Sequence, residues 1–118
     1  MSEKTALIVD DEAGHRLMVR AVLEDAGWTV DEAGSGEAAM ELIQDIDPDA
    51  ALVDMRMPGM DGLELLGKLR LRRPGLPVVL LTAFGTVGSA VEAMKYGAFD
   101  YLTKPADNEE LKAVMDKA

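Results

Sequence analysis

The sequence has no cysteine, and one histidine among its 118 residues. The first absence excludes a disulfide scaffold, zinc–thiolate sites and thiol catalysis. The second excludes metal centres built from several histidines. Basic residues are scarce: 12 Lys and Arg stand against 22 Asp and Glu, a formal net charge of −10. An acidic domain repels phosphate backbones, which argues against direct nucleic-acid binding. There is no Walker A loop, so a nucleotide phosphate has no cradle of that kind. Met1-Ser2-Glu3-Lys4 lacks a basic stretch leading into an apolar run, so no signal peptide is expected. Residues 74–91 carry no charge, yet Pro74, Gly75, Pro77, Gly85 and Gly88 break any spanning helix there. The expectation is a soluble cytoplasmic domain with no membrane partner.

What is present is globular: 48% hydrophobic and 29% charged residues, the size of one domain over residues 1–118. The hydrophobic pattern switches between two periods. Ala6-Leu7-Ile8-Val9, Ala50-Ala51-Leu52-Val53 and Val78-Val79-Leu80-Leu81 are short unbroken apolar runs, as in strands buried on both faces. Thr29 to Ala33 is more polar, which suits a sheet edge, and Ala98 to Leu102 is a weaker fifth strand. Helical stripes lie between them: Met18, Val19, Val22, Leu23 and Ala26, closed by Gly27; Ala39, Leu42, Ile43 and Ile46, stopped before Pro48; Leu65, Leu66 and Leu69, ended by Pro74-Gly75. A fourth contains Val87, Ala90, Val91 and Met94, with Thr86 as N-cap and Gly97 as stop. The fifth contains Leu111, Val114, Met115 and Ala118, with Asp107 and Glu110 at capping-box spacing. Five strand–helix repeats predict an α/β fold with a mostly parallel sheet and helices on both faces. Ligands of such folds sit at the carboxyl ends of the strands.

Those ends carry the chemistry. Strand one runs into Asp10-Asp11-Glu12, strand three into Asp54, strand four into Thr82, and strand five into Lys104-Pro105. Two carboxylates ~4 Å apart repel by about 4 kcal/mol at an effective dielectric near 20. Asp10, Asp11 and Asp54 carry −3 and Lys104 returns +1, leaving a deficit that a divalent cation fills. All-oxygen ligation favours a hard ion, so the charge balance predicts Mg²⁺. A carboxylate beside Mg²⁺, flanked by a hydroxyl and an ammonium, suits phosphoryl transfer onto the carboxylate. Taken singly, each residue has a plainer reading: a solvated helix start, a turn aspartate, a strand threonine, a surface lysine. Their joint placement favours one site.

The Asp10-Asp11 pair, Asp54, Thr82 and Lys104-Pro105 resemble the receiver domain of bacterial two-component response regulators. Met57-Pro58-Gly59-Met60-Asp61-Gly62 and Gly97-Ala98-Phe99-Asp100-Tyr101-Leu102 strengthen the match, which covers the whole chain. The resemblance implies a flavodoxin-like doubly wound (βα)5 fold with strand order 2-1-3-4-5. It makes Asp54 the phosphoacceptor, fed by a histidine kinase. Asp11, Asp54 and the backbone carbonyl of Arg56 would ligate Mg²⁺, with Asp10 acting partly through water. Thr82 and Lys104 would grip the phosphoryl group, Tyr101 would be the switch aromatic, and Lys104-Pro105 would be a cis peptide. The domain would be a signalling switch rather than an enzyme, limited to self-phosphorylation from a donor and slow self-dephosphorylation. Its output surface would be helix four, strand five and helix five, which also offers a homodimer face.

Phe99 replaces an acid that winged-helix members usually carry, which weakens transfer of their ion-paired dimer. Ala83-Phe84-Gly85-Thr86-Val87 and Val91-Glu92-Ala93-Met94-Lys95 look more like receivers attached to AAA+ enhancer-binding transcription activators. The last helix stops at Ala118, short for the family, as in a segment cut from a longer regulator with a C-terminal output domain. A flavodoxin-like electron carrier is the competing reading, but Asp10-Asp11-Glu12 stands where a flavin phosphate needs a Gly/Ser/Thr-rich loop. A haloacid-dehalogenase-type phosphatase needs a second Asp two residues after the nucleophile, and position 56 is Arg. Tyr101 reads equally as a packed tyrosine. His15, in register with Met18 and Val19, reads as a packing residue. Met55, Met57 and Met60 read as packing or as an adaptable partner surface. In the family, the positions of Arg56 and Phe84 tune phosphoryl lifetime. A bulky Phe84 shields the anhydride from water, so the phosphorylated chain should lose its phosphoryl group more slowly than Phe84→Ala. Equal or slower decay in the variant would remove that role.

Overall fold

The computed structural model describes residues 4–82, 87–103 and 107–118, and only the backbone of residues 87–90. Strands and helices alternate as β1 (Lys4–Val9), α1 (Ala13–Asp25), β2 (Trp28–Ala33), α2 (Gly36–Leu42) and β3 (Ala50–Asp54). They continue as α3 (Gly62–Arg72), β4 (Val78–Thr82), α4 (Val87–Lys95), β5 (Asp100–Thr103) and α5 (Asn108–Lys117). All neighbouring strands pair in parallel, in the order β2-β1-β3-β4-β5. This is the parallel sheet that the alternation predicts, in the flavodoxin-like strand order that the family resemblance implies.

Successive strand residues point to opposite faces, and in the three central strands both faces are covered. Leu7, Val9, Val53 and Leu80 pack with Ile43, Leu65, Leu66 and Leu69 beneath α2 and α3. Ile8, Leu52 and Leu81 pack with Val19, Leu23, Leu111 and Met115 beneath α1 and α5. The more polar β2 and β5 fall at the edges. Gly27 and Gly97 end α1 and α4 with φ of 96° and 94°, the left-handed geometry that makes glycine the preferred stop.

Four boundary and packing expectations shift. The stripe reaching Ile46 overruns α2, which stops at Leu42. The Arg73 guanidinium accounts for this, because its Nη2 donates to the carbonyls of Ile43 (2.9 Å) and Ile46 (3.3 Å) and so replaces helical donors. β5 begins at Asp100, because the Ala98 N–H closes onto the Ala93 carbonyl at 3.0 Å and leaves Ala98 in the turn. Met18 is exposed rather than part of the α1 stripe, which buries Val19 and Leu23. Asp107 stands at the N-cap of α5 without a side-chain bond to the helix. Asp61 does cap α3, accepting from the Glu64 N–H at 2.9 Å. The Thr86 cap lies outside the described residues.

Glu32 on β2 ties the edge strand to α1. It accepts from Arg16 Nε at 2.9 Å and is paired with Arg20. Its hydrogen bond with Arg20 holds the Glu32 carboxyl below its ordinary 4.5. A depressed folded value means the stabilisation is complete above 4.5 and is lost as pH falls through the folded value. Glu32→Gln should therefore lower the Tm modestly at pH 7, the more so in low salt. Wild type and variant should converge as the pH drops below that range. A gap that persists in acid would show that Glu32 stabilises by packing instead.

Candidate functional site

The register sets the site. Val9 of β1 lies opposite Val53 of β3, so Asp10 leaves β1 at the level where Asp54 ends β3. Asp54 lies opposite Leu81, and the next residue, Thr82, ends β4 opposite Thr103. Asp10, Asp54 and Thr82 are the buried polar or charged residues of the described chain, and all three sit on this one rim. Burying polar groups is costly without partners, so their concentration at the strand ends marks the place where packing yields to chemistry.

Oxygens of Asp10, Asp11 and Asp54 all lie within 4.8 Å of one another. Asp10 and Asp54 are buried, whereas Asp11 is exposed, so the cluster opens to solvent on the Asp11 side. Asp54 Oδ1 accepts the Arg56 N–H at 3.1 Å. Asp10 is held at several points. Its N–H donates to the Ala33 carbonyl at 3.1 Å, and its Oδ1 accepts the Glu12 N–H at 2.9 Å. Its Oδ2 meets His15 Nδ1, and its own carbonyl accepts from Arg16 Nη1 at 2.6 Å. The donor set is all oxygen, multiply anionic and open on one side. That chemistry fits a hard divalent cation that keeps part of its water shell.

The loop after Asp54 is set by close backbone approach. The Gly62 N–H donates to the Met55 carbonyl at 2.9 Å. A Cβ on Gly62 would stand 2.6 Å from Met55 Cα and 2.7 Å from the Asp54 carbonyl oxygen. A Cβ on Gly36 would meet Met60 Sδ at 2.7 Å. Met55, Met57 and Met60 are buried in the core beneath α2 and α3, so these methionines pack rather than form a partner surface.

Thr82 Oγ1 donates to the Leu102 carbonyl at 3.4 Å, toward β5 rather than into the carboxylate cluster. Tyr101 is 40% exposed, and Val91, Met94 and Phe99 on the neighbouring α4–β5 surface are also exposed. Lys104, Pro105 and Phe84 lie outside the described residues, as does the Lys104-Pro105 peptide. The structure thus brings together Asp10, Asp11 and Asp54, with Thr82 on the adjacent strand end. It also reveals the pairing of His15 with Asp10 and the grip of Arg16 on the Asp10 carbonyl, neither of which the sequence reading foresaw. The signal available was a polar pair, His15-Arg16, in the first helical turn after a strand-end aspartate.

No helix among the described residues is long and apolar enough to cross a membrane. Comparison with known proteins agrees with the geometry. Residues 6–116 match the model of the response regulator receiver domain. The chain is 43% identical over 112 residues to the regulatory protein AtoC of Escherichia coli, covering 95% of this chain and 24% of that protein. It is 42% identical over 118 residues to the DNA-binding transcriptional regulator NtrC of Klebsiella pneumoniae, covering 100% of this chain and 25% of that protein. It therefore spans about a quarter of the length of these relatives. Among solved structures, the receiver domain of NtrX from Brucella abortus superposes with a TM-score of 0.91 at 33% identity, covering 95% of each chain. A response regulator structure from Chloroflexus aurantiacus gives 0.93 at 36% identity, covering 98% of this chain and 97% of that one. Fold, rim and likeness converge: the chain belongs to the response regulator receiver family of two-component signalling, and within it resembles the receivers of NtrC-type transcription regulators.

Proposed function

We propose that residues 1–118 form one receiver unit in which Asp54 accepts a phosphoryl group from the phosphohistidine of a histidine kinase. The observation that carries this reading is the convergence of Asp10, Asp11 and Asp54, from two different strand ends, to within 4.8 Å. In the transfer, an Asp54 carboxylate oxygen forms the new P–O bond while the P–N bond of the donor breaks, and the donor imidazole takes up a proton. Asp11, Asp54 and the Arg56 carbonyl would hold Mg²⁺, with Asp10 acting partly through water, and the bound ion would supply neutralisation of the phosphoryl oxygens. Lys104 and Thr82 hold the remaining oxygens. The chain turns over no substrate: it accepts one phosphoryl group and slowly loses it to water.

Phosphorylation replaces a −1 carboxylate with a mixed anhydride carrying roughly −2 and new acceptor oxygens. That draws the Thr82 hydroxyl away from the Leu102 carbonyl and opens space for Tyr101 to turn inward. The α4–β5–α5 surface then changes shape for a second copy of the receiver or for an output domain that controls transcription in the cytoplasm. Moving the equilibrium from 1:99 to 99:1 takes about 5.5 kcal/mol of differential stabilisation. Exposed Val91, Met94, Phe99 and Tyr101 support this surface as the docking face. Mass spectrometry after incubation with acetyl phosphate and Mg²⁺ tests the reading. One acid- and base-labile phosphoryl group per chain is expected, suppressed by EDTA. An unmodified chain, or an adduct forming equally fast with EDTA present, would overturn the acceptor or the metal assignment respectively.

A further inference from the structure

Asp10 is fully enclosed, and its two carboxylate oxygens are held by two separate groups at the start of α1. Oδ1 accepts from the backbone N–H of Glu12, two residues on, and Oδ2 meets the imidazole of His15 in the first turn of α1. The following residue, Arg16, takes the Asp10 carbonyl at 2.6 Å and is itself braced by Glu32 at 2.9 Å. One helical turn thus grips both the side chain and the backbone of the same aspartate. A carboxylate held at one oxygen still turns about its Cβ–Cγ bond; a second donor on the other oxygen removes that freedom.

We propose that His15 is a positioning residue for the metal centre: it fixes the Asp10 carboxylate in the orientation that the cation's water shell uses. The role rests on the proposed reading of the aspartate cluster as a Mg²⁺ site. His15 is not itself a ligand, because the mutually close oxygens are those of Asp10, Asp11 and Asp54. It acts one step out, where partners of ligating groups typically govern metal affinity. Since an ionised carboxylate only accepts, Nδ1 carries a proton in this arrangement. The imidazole is 18% exposed, and so partly covered by the turn that presents it.

Two measurements test this. In the metal-free protein the single histidine gives one imidazole pattern in long-range ¹H–¹⁵N correlation spectra. A protonated Nδ1 is expected; a proton on Nε2 alone would overturn the pairing. The second is calorimetric titration of Mg²⁺ into wild type, His15→Leu and His15→Asn. Asparagine places its Nδ2 where the histidine Nδ1 stood, whereas leucine removes the donor. The leucine variant should raise the Kd for Mg²⁺ roughly tenfold, while asparagine stays within about threefold of wild type. If His15→Leu does not fold, His15→Ala carries the same expectation. A leucine variant that binds as wild type does or tighter, or an asparagine variant as weak as leucine, would overturn the role. Wild type that binds no Mg²⁺ would instead overturn the cation reading, and this role with it.

Discussion

Asp54→Asn is expected to accept no phosphoryl group from acetyl phosphate, under conditions that fully modify the wild type. The amide is nearly isosteric, and its oxygen still accepts the Arg56 N–H that Asp54 Oδ1 receives at 3.1 Å. The fold should therefore survive. What disappears is the anionic nucleophile: an amide oxygen is too weakly nucleophilic to form a stable acyl phosphate. The substitution also removes one of three converging negative charges, so the metal-free variant should unfold at or above the wild-type temperature. Mass spectrometry and thermal unfolding on the same sample separate the two effects. An adduct at wild-type yield would place the acceptor elsewhere. Loss of the adduct together with loss of the fold would mean that Asp54 is needed structurally.

The second large effect concerns α3. Helix propensity alone favours alanine over glycine by about 1 kcal/mol in a helix. Gly67→Ala should follow that rule, because a Cβ there meets nothing within 4 Å, and a gain of roughly 0.5–1 kcal/mol is expected. Gly62→Ala, in the same helix, should do the opposite. Its Cβ would press on the backbone of Met55 and Asp54 at 2.6 and 2.7 Å, where no side chain can rotate away. Overpacking of this kind costs about 1–3 kcal/mol. The strain falls on Asp54 itself, so the variant should also phosphorylate more slowly. Urea unfolding of both variants reads the sign reversal. Two substitutions of the same sign would show that α3 slides freely over β3.

The fold was legible because three central strands are unbroken apolar runs and five stripes of helical period separate them. Ends were less legible where a distant side chain or a helix-closing backbone bond intervenes: Arg73 shortens α2, and the bond from the Ala98 N–H to the Ala93 carbonyl delays β5. Of the site, the strand-end aspartates could be read because each follows a buried run, and their register in the sheet brings Asp10 level with Asp54. The partners of Asp10 could not be read that way. The His15 contact depends on how the first turn of α1 leaves the strand, and a periodic pattern assigns a residue in that turn to packing. Gly62 likewise reads as the end of a turn motif. Only the approach of α3 to β3 shows that hydrogen is the largest group tolerated there.

Trp28 is the chain's one indole, at the first residue of β2 with Lys4 Nζ 5.5 Å over its ring. The rim lies beyond the other end of that strand, about 16 Å away at the usual rise per residue. Intrinsic emission from the natural protein should therefore follow denaturation well, since the ring is almost wholly enclosed, and stay nearly silent when ions or phosphodonors arrive. An optical reporter of signalling would need a fluorophore grafted beside position 54, and the exposed Pro58 offers a neighbouring place for it.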